Sequence, residues 1–425
     1  MFKLKSMNTI FFLSLAVFSL GIAKGLPEQG PTLQITHAYS SSSRPSGSWA
    51  ETLRQMQTDD EARLKYLASL TAGRSDVPVA NARQITQSQT YIVKAKIGTP
   101  PQTLLMAVDT STDAAWVPCS GCAGCPTSAA GVFFNPSNST SLKSLGCDAL
   151  QCRQVSNPTC QSNVCGFNLT TGGSALAGSL LQDNVTLAVD AISNYTFGCI
   201  QRATGSAVPP QGVLGLGRGP LSLLNQAQDL YNRTFSYCLP AITTSSFTGS
   251  LRLGPSAQPK NIKFTQLMTN PRRPSVYYVN LTAIFVGDKD AKVPPTALAF
   301  DPVTGGGTVI DTGTTYTRLV TPAYLAVRDE YRRRMGNSTV SLGGFDTCYK
   351  NVVTKLPTLT FVFNTMNVTL PSENFRVNSS TGGLTCLAMA ATTGFNVIGS
   401  LQQQNHRVLF DLPNSRLGVS RESCS

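Results

Sequence analysis

The chain has 425 residues, 41% hydrophobic, 13% charged and 8% aromatic, which is ample apolar sequence for a large core. Its 35 glycines and 25 prolines suit a loop-rich, mainly β protein and argue against a coiled coil or bulk disorder. Lys and Arg exceed Asp and Glu by 34 to 22, a formal charge of +12, yet no long basic run or basic stripe with interleaved aromatics occurs, which argues against nucleic-acid binding.

The N-terminus carries Lys3 and Lys5, then an apolar run of 14 residues from Ile10 to Ala23 that is too short for a membrane span. With small residues at Gly21 and Ala23, residues 1–23 read as a cleaved signal peptide, so the mature protein is expected outside the cell or, by diversion, in a vacuole. That route permits disulfides, and the twelve cysteines read as up to six bridges. It also exposes nine Asn-X-Ser/Thr sites to glycosylation: Asn138, Asn168, Asn184, Asn194, Asn232, Asn280, Asn337, Asn367 and Asn378. The excess positive charge fits weak association with acidic cell-wall polysaccharide once the protein is there.

Residues 24 to about 47 are rich in Ser, Pro and Gly. Ser48 and Glu51 then form a capping-box pattern ahead of Trp49, Leu53, Met56, Leu64, Leu67 and Leu70, which predicts one amphipathic helix. The stretch Thr71 to Gln89 lacks periodicity and carries Arg74 and Arg83, so it reads as a linker open to a processing protease. Residues 24–80 are therefore expected to be a propeptide, the alternative being a permanent helix packed on the body. From Tyr91 onward short β runs alternate with turns, and the clearest helix is Pro322 to Met335, closed by Arg332, Arg333 and Arg334.

An internal repeat carries the chemistry. The string "AVDTSTDAAWV" around Asp109 recurs as "VIDTGTTYTRL" around Asp311, 202 residues later. Each copy has a downstream apolar pair followed by Gly: Val213, Leu214 and Gly215 in one, Val397, Ile398 and Gly399 in the other. Two such β halves would bring one Asp each to a pseudo-two-fold axis in a cleft. Two carboxylates a few ångströms apart cannot both ionise cheaply, so they share a proton. One then serves as base toward a water while the other donates to a substrate carbonyl.

Taken together, these motifs resemble pepsin-like aspartic proteases of the plant nucellin and nepenthesin-like branch. The resemblance covers about residues 85 to 425 and includes "IGTPPQ" at Ile97 to Gln102, "FSYC" ending at Cys238, "QQQNHRVLFDLPNSRLG" from Gln402 to Gly418, and a Cys-rich insertion after the first Asp. It implies an all-β, bilobal fold with a central cleft, an N-terminal lobe over 85–256 and a C-terminal lobe over 274–425. It further implies a monomeric acid endopeptidase made as an inactive precursor, acting on protein or peptide substrates without a cofactor or a metal. Asp109 and Asp311 would be catalytic, with Thr112 and Thr314 supplying hydroxyls to them. By the same resemblance Cys348 pairs with Cys386 and Cys238 with Cys424, and Trp116 packs under the strand bearing Asp109.

Seven cysteines from Cys119 to Cys165 begin as CxxCxxC, a spacing seen in zinc sites. Disulfides are preferred, because export is oxidising and no His lies in the stretch. Rival hydrolytic chemistries lack their parts: His37 and His406 are the only histidines, His37 falls in the expected propeptide, and no GxSxG, HExxH or Walker A pattern occurs. One departure from the family stands out. Its flap hairpin carries a Tyr before a Gly-rich turn, whereas here Thr171 precedes Gly172 and Gly173, with Phe167 nearby. Losing the phenol weakens substrate positioning and water exclusion, which opens a second reading as a protease-like binding or inhibitor protein.

Overall fold

The computed structural model describes residues 31–37, 49–69, 91–125, 133–171, 174–204, 212–242, 248–350, 356–379 and 383–424. The expected signal peptide, the Ser48 cap, the linker Thr71 to Gln89 and the turn glycines Gly172 and Gly173 lie outside them. The fold is mostly β and bilobal, built on one 20-stranded composite sheet and two four-stranded sheets. The main helices are α1, Trp49–Ser69, and a later helix, Thr321–Met335. The arginines closing the later helix are spent locally, on Asp346, Asp288 and Glu330.

The repeat read in the sequence is a repeat in space. Strand Gly212–Gly215 runs parallel to Gln102–Asp109, with Val213 opposite Ala107 and Gly215 opposite Asp109, and Val213 also bridges antiparallel to Trp116. In the other half Asn396–Ile398 runs parallel to Thr308–Ile310, with Val397 opposite Val309, and Val397 bridges to Arg318. Val108, Leu214, Ile310 and Ile398 then share one buried core.

The glycine ending each apolar pair is required by this crossing. A Cβ on Gly215 would lie 2.0 Å from the Asp113 carbonyl oxygen, and one on Gly399 would lie 2.6 Å from the Tyr316 carbonyl carbon. Because backbone cannot swing aside as a flexible side chain can, Gly399→Ala is expected to cost about 1–3 kcal/mol. A thermal melt checks this, and an unchanged Tm would refute the crowding argument.

The two halves are joined by antiparallel pairing of Thr234–Cys238 with His406–Asp411. Phe235 and Phe410 stack across this junction at 4.6 Å, flanked by Tyr237 and Tyr277. The same sheet contains an element that the sequence pattern does not show. Strand Thr32–His37 pairs with both Tyr91–Ile97 and Gly249–Leu253, so part of the expected propeptide is an interior strand.

Six disulfides join Cys119 to Cys199, Cys122 to Cys125, Cys147 to Cys160, Cys152 to Cys165, Cys238 to Cys424, and Cys348 to Cys386. The odd member of the Cys-rich stretch thus pairs outside it, with Cys199. Of the nine glycosylation candidates, Asn184 and Asn280 are half-buried and the other seven are exposed.

Candidate active site

Asp109 ends its strand and Asp311 follows the strand Thr308–Ile310, and the parallel crossings bring both to the seam between the lobes. Both are almost fully buried. Threonines beside them lock the seam: Thr110 N–H donates to Thr312 Oγ1 at 3.2 Å, Thr312 N–H to Thr110 Oγ1 at 3.1 Å, and Thr312 Oγ1 to the Val108 carbonyl at 3.0 Å.

Each carboxylate is held by its own turn. Ser111 and Thr112 donate backbone N–H groups to Asp109 Oδ1 at 2.8 and 3.1 Å, and the Thr112 hydroxyl donates to Oδ2 at 2.9 Å. The Thr314 hydroxyl donates to Asp311 Oδ2 at 2.7 Å. A cross-lobe bond is added where the first motif has Ser in place of Gly, since Ser111 Oγ donates to Asp311 Oδ1 at 2.7 Å. The sequence reading identified Thr112 and Thr314 but passed over Ser111.

It also passed over Arg63. The guanidinium of this α1 residue sits between the two aspartates, with Nη2 at 2.6 Å from Asp109 Oδ1 and 3.0 Å from Asp311 Oδ1, Nη1 at 2.9 Å from Asp109 Oδ2, and Nε at 3.1 Å from Asp311 Oδ2. Burial alone would lower the Arg63 pKa, but the two carboxylates reverse this and raise it. Burial likewise pushes Asp311 up, and the Arg63 charge, its hydrogen bond and those of Ser111 and Thr314 outweigh it, holding the carboxyl below its ordinary value. The signal was present in the pattern: Met56, Asp60 and Arg63 fall on the apolar stripe of the helix, where a charge demands a partner.

The rest of α1 is docked as firmly. Asp60, fully buried, accepts the backbone N–H groups of Thr315 at 2.6 Å and Tyr316 at 2.8 Å. Leu53 and Met56 pack with Tyr316, Phe345 and Leu401, while Leu64 packs with Val276, Tyr278 and Phe395. A third carboxyl, Asp113, lies beside the pair. Burial raises its pKa, hydrogen bonds from Ser275 Oγ at 2.5 Å and Gly219 N–H at 2.8 Å offset part of this, and the Asp109 charge adds to it.

The hairpin Val164–Thr171 and Ser174–Leu187 pairs Thr171 with Ser174 at its tip. Phe167 is not at that tip. It lies four residues down, buried, with its ring 4.6 Å from Trp116 in an edge contact. His406 is buried in the strand His406–Asp411, its Nδ1 2.9 Å from the Gln404 carbonyl.

A duplicated β fold with one Asp-Thr-Ser/Gly turn from each half at the seam defines a pepsin-like architecture. Comparisons with known proteins agree: residues 91–255 match the family model described as xylanase inhibitor N-terminal, and residues 276–421 match xylanase inhibitor C-terminal. The chain is 47% identical to aspartyl protease AED3 of Arabidopsis thaliana over 399 residues, covering 89% of this chain and 88% of that protein. It is 34% identical to aspartic proteinase nepenthesin-1 of Nepenthes gracilis, over 79% of this chain and 78% of the other. The fold is also shared with basic 7S globulin from soybean at a TM-score of 0.62, with 22% identity, over 81% of this chain and 95% of that one. The chain belongs to the plant branch of the pepsin-like aspartic protease family.

Proposed function

We propose that this chain is a secreted aspartic endopeptidase, made as a precursor in which α1 fills the active site. The observation that carries this reading is the pair Asp109 and Asp311, held by matching turns and bridged by one guanidinium. A cation placed equally on two carboxylates occupies the position where a water would be held by both. Once Arg63 withdraws, the pair loses its neutralising charge and takes up one proton from solvent, which the two carboxylates share. The ionised partner takes a proton from the water, and the protonated one donates to the peptide carbonyl as the tetrahedral centre forms. Ser111, Thr112 and Thr314 keep the carboxylates oriented through the step, which removes reorganisation from the barrier.

Protein and peptide chains are the substrates, the pH range is acidic, and the leader directs the protein to the apoplast or a vacuole. Exposed sequons and six disulfides fit that route. The test is a peptide library offered to the acid-exposed full chain, with and without a statine-type inhibitor. Cleavage blocked by the inhibitor is expected, and neither cleavage nor inhibitor binding would overturn the reading.

A second reading, binding without efficient turnover, is favoured by Thr171 and by the xylanase-inhibitor description of the matching models. A donor missing over the cleft should act mostly on the transition state, where one preorganised hydrogen bond is worth about 3 kcal/mol. Thr171→Tyr is therefore expected to raise kcat more than it changes KM in steady-state kinetics on one peptide. A natural enzyme as fast as the variant would refute the loose-flap argument. No turnover by either form, with tight inhibitor binding, would favour the binding protein.

A further inference from the structure

Arg318 occupies in the second half the position that Trp116 occupies in the first, seven residues after the motif aspartate and bridged to the same apolar pair. Trp116 is covered by Phe167 of its own lobe. Arg318 is just as buried, yet the polar contacts of its side chain among the described residues are to α1. Its Nη2 donates to the Gln57 carbonyl at 3.2 Å and to the Gln57 side-chain oxygen, and lies 3.9 Å from Asp60 Oδ2. Its Nε and the neighbouring Thr315 hydroxyl are buried without hydrogen-bond partners. Departure of α1 would leave a guanidinium, two backbone N–H groups and a hydroxyl facing the cleft beside Asp311. The two backbone N–H groups already hold a carboxylate, that of Asp60, with the Arg318 guanidinium 3.9 Å from it.

We propose that this cluster is a substrate subsite selecting an acidic side chain, so that Asp60 stands in the precursor where a substrate Asp or Glu sits in the active enzyme. Asp60 lies three positions before Arg63 on the helix, a rise of about 4.5 Å. An extended substrate advances about 3.3 Å per residue, which places the acidic side chain within two or three residues of the scissile bond on the side of the C-terminal lobe. A buried cation left without an anion is costly, so a neutral isostere at that position loses the charge-assisted hydrogen bonds and leaves the donors unpaired. This inference rests on the endopeptidase reading, and its test separates the two.

The acid-exposed full chain is offered labelled peptides that differ only in Glu or Gln, or Asp or Asn, at each position within three residues of the cleavage point, at the highest pH that supports turnover. Both kcat/KM and equilibrium binding by fluorescence anisotropy are measured. One position is expected to prefer the acid by on the order of tenfold or more. Arg318→Gln should reduce that ratio to about one, and Arg318→Lys, which keeps the charge and is the milder change for folding, should retain part of it. Acidic and neutral peptides handled equally by the natural protein, or a ratio unchanged in Arg318→Gln, would overturn the subsite. If no peptide is cut, the endopeptidase reading fails by itself and the binding ratios still decide the subsite by the same two outcomes.

Discussion

Asp109→Asn and Asp311→Asn are each expected to reduce turnover by at least about 10³-fold, and the double variant should be little worse than either alone. The reason lies in the shared proton. An amide on either side removes the base or the acid outright, and the remaining carboxyl cannot perform both roles in one step, so the losses are strongly non-additive. Turns built around Asp109 and Asp311 make the substitution geometrically mild. In Asp109→Asn the amide oxygen can take the Oδ1 place and accept from the Ser111 and Thr112 N–H groups, while the amide nitrogen donates to the Thr112 hydroxyl, which rotates to accept. In Asp311→Asn one of the Ser111 and Thr314 hydroxyls rotates in the same way. Circular dichroism and inhibitor binding should therefore report a folded cleft while steady-state assays at acidic pH report no activity. Either single variant retaining more than about a tenth of the natural rate would remove these residues from the chemistry.

What the sequence disclosed follows from how each part is specified. The architecture and the two aspartates were legible because the fold is a duplication: Asp109 with Gly215 and Asp311 with Gly399 are fixed by backbone crossings that tolerate few residue types, so they leave a repeated string. The helix over Trp49–Ser69 was legible from its period. Its target was not, because the partners of Asp60 are backbone N–H groups of Thr315 and Tyr316, which have no side-chain signature. Strand Thr32–His37 was missed for a related reason. Its six residues lie in a Ser-, Pro- and Gly-rich segment, and its strand state is imposed by Tyr91–Ile97 and Gly249–Leu253 on either side. Ser111 was overlooked because the two motif copies differ there, Ser in one and Gly in the other, so the repeat gives its hydroxyl no signature, yet that hydroxyl reaches the opposite lobe.

Arg63→Gln should let the uncut precursor open at a higher pH than the natural chain. In the closed form the Arg63 charge and hydrogen bond hold Asp311 below its ordinary value despite burial. The stabilisation they give is therefore complete above the ordinary carboxylate range and is lost as pH falls through the depressed value. A second acid-labile attachment lies in the neighbouring strand. Burial lowers the His37 pKa to about 3 from 6.5, so the strand is held by a neutral imidazole. Its stabilisation is present above about pH 6.5 and declines as pH falls toward 3, by roughly 1.4 kcal/mol per unit at most. The two act in sequence on acidification, His37 loosening the strand first and Asp311 releasing the helix at lower pH. Removing the guanidinium leaves two buried carboxylates with no cation between them, a change of about 3–5 kcal/mol against docking. The pH midpoint for binding a statine-type inhibitor to the intact chain is expected to rise by about 1–2 units, with gel electrophoresis confirming that the chain is uncut. Midpoints that coincide in the natural and Arg63→Gln chains would show that the helix is not what closes the site.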